Sequence, residues 1–351
     1  MGRLGVQVRT GETVVAIERE GEVVTRHGRL GFDAVVLASG ESGTRQDFAV
    51  RHRGGFHTLA DPNSFNTLRE ALKDYSSVAM TGSGPLTLEV ADRISKKGVG
   101  VTLFAAAGIM GQRLGDGPRR RLESAISRAG VSLVTAKPDR IAGVDTVEAV
   151  LVGGIVFPCQ ALIVVPDAEP NSLGVRVRLG RQGGVVVDGE MRSSWSVLFA
   201  AGACAEIAAG ATTIGSTYAS SAQVMGEAAG ANAAGGHMTP RISFCHSAKV
   251  FGTEIVLAGL SLRDALMAGF DAKEASTDRE RISCSLVFDR RSLRVWGVQI
   301  VGSGAGSYSQ VAPLLVSGLL TLDELVLQEF PLATDISPLV ETAREGLRGR
   351  A

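Results

Sequence analysis

The residues Gly82-x-Gly84-x-x-Thr87 set two glycines and a small side chain at the spacing of a phosphate-cradling loop. In such a loop the first glycine permits a tight turn and the second lets backbone approach a pyrophosphate. The phosphate charge then meets the free N–H groups and positive dipole end of the following helix. The third position, which serves close helix–strand packing, is Thr87 here. Ordinary turns also carry this string, so its meaning depends on its flanks. Val78-Ala79-Met80-Thr81 reads as a strand, Leu86–Lys97 as a helix with Leu86, Val90 and Ile94 at intervals of four, and Gly100–Phe104 as a second strand. Strand, glycine turn, helix and strand within about 30 residues form a mononucleotide-binding βαβ unit. The acidic residue expected some 20 positions beyond the loop, on the ribose, falls at Ala105, and nothing basic adjoins it.

Other chemistry-bearing residues are scattered. Cys159, Cys204, Cys245 and Cys284 form no CxxC pair, which argues against a disulfide framework or a zinc site. Cys245-His246 places a thiol beside an imidazole, but neighbouring residues of a strand face opposite sides of a sheet. His27, His52, His57, His237 and His246 show no metal-ligand spacing.

The elements around these residues alternate between strand and helix. Val6–Arg9, Val14–Arg19, Val23–His27 and Ala34–Ser39 are short β-branched runs parted by turns, as in a β-meander, the last running into Gly40. Helical segments are expected near Phe65–Lys73 and Pro118–Arg128, and strands at Val131–Val134, Thr146–Leu151, Ile155–Phe157 and Ala161–Val165, before a turn at Pro170-Asn171. Val197–Ala201 enters Gly202, and an Ala-rich helix spans Thr217–Ala234, capped by Gly235-Gly236. After a composition change at His237–Pro240, strands at Lys249–Ala258, Ile282–Phe288 and Arg294–Ile300, with helices near Leu262–Ala268, Tyr308–Ser317 and Thr321–Leu327, suggest an α+β tail with an antiparallel sheet.

Composition narrows the classes. Lysine plus arginine and aspartate plus glutamate both number 36, so the net charge is zero and no basic excess points to nucleic acid. No stretch reaches the roughly 20 apolar residues of a membrane span, and the start lacks the apolar core of a signal peptide; a cytoplasmic protein is expected. The 44 glycines, beside only 11 prolines, show no collagen period and fit tight turns, close packing and nucleotide loops.

Taken in order, Phe32–Gly40 (FDAVVLASG), Val78–Val90 (VAMTGSGPLTLEV), Ala161–Asn171 (ALIVVPDAEPN), Val197–Glu206 (VLFAAGACAE), Gly226–Gly236 (GEAAGANAAGG) and Val298–Gly302 (VQIVG) resemble the FAD/NAD(P)-dependent pyridine nucleotide-disulfide oxidoreductases. The tail is most similar to the NADH oxidase and coenzyme A disulfide reductase branch. The resemblance implies an α/β fold of two Rossmann-like dinucleotide-binding domains, the first incomplete, followed by an α+β dimerisation domain. Residues 1–75 and 180–236 would be a partial FAD-binding domain, 76–179 the NAD(P)H-binding domain and 237–351 the interface of a homodimer. It implies hydride transfer from NAD(P)H to FAD, then electron passage to a disulfide, oxygen or another acceptor.

The residues implied at the nucleotides are Gly82, Gly84, Thr87 and Glu89 on one side, and Gly40, Gly202, Ala203 and the helix start Ser216-Thr217-Tyr218-Ala219 on the other. Read without the resemblance, Glu89 is an exposed helix glutamate, Gly40 a turn glycine and Ser216–Ala219 an ordinary capped helix start. No catalytic residue and no metal site is assigned. Several positions depart from the family pattern. The opening GxGxxG loop and redox cysteine are not found, which suggests a chain beginning inside the FAD domain, its opening either lost to a truncated gene or carried by a separately encoded N-terminal fragment as a partner. Ala203 replaces an aspartate, Asp167 replaces a glycine before Pro170-Asn171, and Glu329-Phe330-Pro331 stands where relatives often carry a tyrosine. A non-catalytic relative, acting as a scaffold or partner subunit, is the alternative these departures leave open.

Overall fold

The computed structural model describes residues 5–43, 54–59, 62–166, 168–215, 218–330 and 336–348. Its backbone gathers into two units, one of residues 1–42 and 169–242, the other of residues 43–168 and 243–351. The sequence places the first division at 75/76; the structure places it at 42/43, because residues 56–58 pair with a strand of the second unit.

In unit 1, β1 (Val14–Glu18), β2 (Glu22–Thr25) and β3 (Arg29–Gly31) form an antiparallel meander. Residues 6–10 do not join it, and Val6 and Val8 stay exposed. The third strand instead follows Gly28, whose φ of +157° opens the turn. β4 (Val35–Leu37) runs parallel to β16 (Leu198–Ala200), with Val35, Val36 and Leu37 opposite Leu198, Phe199 and Ala200. β5 (Glu41–Gly43) pairs with β14 (Ala168–Pro170), and β15 (Val185–Val187), β17 (Ala205–Ala209) and β18 (Thr212–Gly215) form a fourth sheet. The long helix α4 (Ala219–Ala233) turns Met225, Ala228 and Ala229 onto Leu37, Leu198 and Phe199. Small residues on that face allow the close packing anticipated from the Ala/Gly-rich sequence.

Unit 2 opens with a parallel sheet in the order β6 (Phe56–Thr58), β13 (Ala161–Val164), β7 (Ser77–Thr81), β8 (Gly100–Phe104), β9 (Ser132–Val134). Its central strands β13 and β7 are almost wholly buried because both faces are covered. Helices α1 (Pro62–Ala71), α2 (Pro85–Ser95) and α3 (Asp116–Arg128) connect them, and β10 (Arg140–Ala142), β11 (Ala149–Val152) and β12 (Ile155–Pro158) form an antiparallel meander before β13. The α2 face differs by part of a turn from the one expected: Thr87, Leu88, Ala91 and Ile94 are buried, while Leu86 is exposed.

The rest of unit 2 is an antiparallel sheet, β19 (His246–Val250), β20 (Thr253–Gly259), β23 (Val295–Gly302), β22 (Ile282–Asp289) and β21 (Ala272–Asp278), with α5 (Leu262–Met267), α6 (Val311–Val316), α7 (Leu322–Leu327) and α8 (Ser337–Arg348). Where one strand was expected at Lys249–Ala258, the chain makes a hairpin. Phe251 and Gly252 both take positive φ (+50° and +71°), as a two-residue turn with the twist of the flanking strands requires. β21 and α8 were not anticipated. The sheet has two characters: Cys284, Leu286 and Phe288 pack in the core beneath α6–α8, while Ser276, Ser285 and Gln299 line up across β21, β22 and β23. On this polar row lies the start of α3, seated by glycines. A Cβ at Gly117 would come within 2.6 Å of Ser283 Oγ, and the Gly115 N–H donates to Gln299 Oε1. Among the described residues no helix is long and apolar enough to cross a membrane.

Candidate functional site

From β7 the chain proceeds to β8 and β9 on one side, while β13 lies on the other, so Gly82-Ser83-Gly84 stands at the point where strand order reverses. Ligands of open α/β sheets bind at this point, beyond the carboxyl ends of the strands. Gly82 has φ +142° and its N–H donates to the Phe104 carbonyl at 3.2 Å. A Cβ built on it would fall 2.4 Å from Thr87 Oγ1 and 3.2 Å from Val165 Cβ. The space left by this glycine is therefore filled by the buried Thr87 side chain. Gly84 differs: its backbone is extended (φ −81°, ψ 176°), and a Cβ there would meet nothing within 4 Å. It leaves open the approach to the start of α2.

That helix start is free of side-chain competition. Gly84 is the N-cap and supplies no side-chain acceptor, and Pro85 fills the first helical position. Proline has no N–H to leave unsatisfied, and those of Leu86 and Thr87 begin the helix without an intrahelical acceptor. Such a terminus carries roughly half a positive charge and suits an anion. The Ser83 carbonyl accepts the Met110 N–H at 2.7 Å, fixing the loop to the segment after β8. Spacing gave no signal for Met110 or Val165, since one acts through a backbone amide and the other by packing from a distant strand. Glu89 lies half-buried on α2. Ala105 is fully buried, its N–H bonded to the Val134 carbonyl at 2.9 Å.

The second group of residues belongs to unit 1. Gly40 and Gly202 lie just past the level carboxyl ends of β4 and β16, with φ of +70° and +76°. Gly40 is fastened by the Asn171 N–H, which donates to its carbonyl at 3.0 Å, and the Ser39 hydroxyl donates to the Asn171 carbonyl. A Cβ at Gly202 would approach Ala222 Cβ to 3.3 Å, so this glycine admits the first turn of α4 to the strand end. Tyr218 caps α4 with no side-chain acceptor, and Ala219 opens the helix exposed. Ala203 is half-buried and offers only a methyl group. This edge thus offers backbone groups at two glycine turns and an uncapped helix start, while the Ala203 side chain supplies no hydrogen-bond acceptor. His52, Asp167, Ser216, Thr217 and Pro331 lie outside the described residues.

The thiols are not poised for chemistry. Burial pushes Cys159 and Cys245 up to about 11 and Cys284 up to about 12, far from a neutral-pH thiolate. Cys204 is buried and directs its thiol to the Leu37 and Ala201 carbonyls, each at 3.3 Å. Burial also lowers the pKa of His246, next to Cys245, with the charge of Arg113 adding to the effect. Among the described residues no group of three or more His, Cys, Asp or Glu could hold a metal ion.

Comparison with known proteins agrees with this arrangement. The chain is 26% identical over 348 residues to the NAD(P)H coenzyme A polysulfide/persulfide reductase of Pyrococcus horikoshii, covering 89% of this chain and 76% of that one. It is 32% identical over 181 residues to the ferredoxin–NAD(+) reductase component of the biphenyl dioxygenase system of Paraburkholderia xenovorans, covering 49% of this chain and 43% of the relative. The chain spans less than half the length of several curated relatives it matches. A solved NAD-dependent persulfide reductase from A. fulgidus superposes with a TM-score of 0.86 at 22% identity, covering 99% of this chain and 70% of that one, and so shares the fold. The profile of the pyridine nucleotide-disulphide oxidoreductases matches residues 2–231, and the chain belongs to that family.

Proposed function

We propose that the chain is an NAD(P)H-dependent flavoprotein oxidoreductase, in which hydride passes from reduced nicotinamide to FAD and electrons leave for a disulfide, oxygen or another acceptor. The observation that carries this reading is the loop Gly82–Thr87, open at Gly84 and leading into an α2 start with no side-chain cap. Its N–H groups would hold the nicotinamide nucleotide's pyrophosphate, while Thr87 keeps the turn tight from behind. Glu89, on the same helix, is assigned to orienting the nicotinamide or the flavin. In unit 1, Gly40, Gly202, Ala203 and the α4 start at Ala219 would contribute backbone to FAD. Bound flavin supplies the two-electron acceptor that no side chain provides. With the thiols of Cys159, Cys245 and Cys284 held protonated, the onward acceptor comes from outside these cysteines.

The antiparallel part of unit 2 is proposed to dimerise, supported by Leu314, Leu319 and Leu327, which are 52%, 60% and 84% exposed. Four free cysteines fit a reducing compartment, the cytoplasm. The test is direct binding. Purified chain is expected to retain added FAD with its visible absorbance and to bind NADH or NADPH by calorimetry, and Gly84→Asp is expected to abolish nucleotide binding with the circular dichroism unchanged. Failure to bind either nucleotide would sink the reading. A strictly monomeric solution mass at micromolar concentration would remove the dimer.

A further inference from the structure

Resting on the nucleotide site just proposed, we infer that the chain reads nothing at the 2′ position of the adenine ribose and accepts NADH and NADPH about equally. In a βαβ nucleotide unit the residue ending the second strand makes this distinction: a carboxylate accepts from a 2′-hydroxyl, or an arginine meets a 2′-phosphate. Here β8 ends at Phe104 and continues as Ala105-Ala106-Ala107-Gly108. Ala105 is fully buried with its N–H committed to Val134, and Ala106 and Ala107 present exposed methyl groups. No charged residue occurs from Gly98 to Gln112.

Two guanidinium groups at the far end of this segment, Arg113 next to Gln112 and Arg263 bonded to it, are engaged elsewhere in the unit. Arg113 Nη2 donates to the Gly259 carbonyl at 3.3 Å. Arg263 Nη1 donates to Gln112 Oε1 at 3.1 Å, occupying that amide oxygen as well. The backbone of the segment is itself held in place. Met110 is buried and its N–H holds the Ser83 carbonyl, and Gly108, Met110, Gly111 and Gln112 all take positive φ, between 58° and 75°. The segment that follows β8, up to Gln112, thus carries neither an anion to repel a 2′-phosphate nor a cation to attract one. A site built to hydrogen-bond a substrate group rejects an analogue lacking it; a site lined with methyl groups has no such means.

The experiment is a calorimetric titration of the full chain, with FAD present, against NADH and against NADPH. The two dissociation constants are expected to lie within about threefold of each other, and a ratio beyond about tenfold in either direction overturns the inference. Ala105 is too buried to replace safely, so the variant is the exposed Ala106→Arg. It is expected to tighten NADPH by about tenfold while leaving NADH nearly unchanged. An unchanged ratio in that variant overturns the assignment of this segment as the ribose-facing surface. Binding of neither nucleotide by the wild-type chain removes the nucleotide site itself, and this inference with it.

Discussion

Gly82 and Gly84 look interchangeable as letters, yet they answer to different constraints. At Gly82 a methyl would collide with Thr87 inside the protein; at Gly84 it would project into open space. Gly82→Ala is therefore expected to destabilise the fold by ~2–4 kcal/mol through backbone strain and overpacking. Thr87→Ala in the same chain should recover part of that loss, because the two sites share one volume. Gly84→Ala should cost no more than about 1 kcal/mol, as an alanine at an N-cap, while weakening nucleotide binding. Chemical denaturation of the three variants checks this, and a silent Gly82→Ala would contradict it. Spacing made both glycines visible in the sequence but could not say which faced the protein and which the ligand. It also missed the Ser39–Asn171 clasp on Gly40, whose partners are far apart in the chain.

At the scale of elements, α3 and the antiparallel sheet meet through polar groups, and one of them carries a pH dependence. Burial raises the Glu274 carboxyl above its ordinary range; a hydrogen bond from Ser285 opposes the shift and the charge of Asp116 adds to it. The folded state thus holds this proton more tightly than the unfolded chain does. Glu274's contribution is fully present below the unfolded value, about 4.3, and is lost as pH rises through the raised folded value. Glu274→Gln should be more stable than wild type at neutral pH, with the gap closing near pH 4 (roughly the unfolded value). Denaturation midpoints at both pH values test it, and a gap of constant size would refute the assignment. The alternation Ser283, Cys284, Ser285, Leu286 made β22 legible. β21 was not, because its polar sequence AKEASTD gains its meaning only from the strand beside it. The β19–β20 hairpin was hidden by Phe251, a bulky residue in a conformation usually given to Asn, Asp or Gly.

Over the whole molecule, each unit has cores of its own: Leu37, Leu198, Phe199 and Met225 in unit 1, and in unit 2 one built on Met80, Leu103 and Ile163 and another on Leu286, Phe288 and Ile300. Two unfolding transitions are expected in calorimetry, FAD raising the transition of unit 1 and oxidised nicotinamide nucleotide that of unit 2. At a hundredfold excess over its dissociation constant, each ligand should add about 2.7 kcal/mol to its own unit. A single transition moved equally by both would refute this. The sequence showed the alternation of strands and helices and, through its motif order, the family. It could not place the first division, because the partner that claims residues 56–58 is Leu162–Val164, over a hundred positions away. The pairing of β5 with β14 has a further consequence. The chain leaves unit 1 along one of these strands and returns along the other, so for unit 1 everything between them is one long loop whose mouth is already fastened. Closure entropy grows only slowly with the length of such a loop. For unit 1, residues 43–168 are an insertion, and a short connection from Ser42 to Glu169 could stand in their place without asking unit 1 to change its fold.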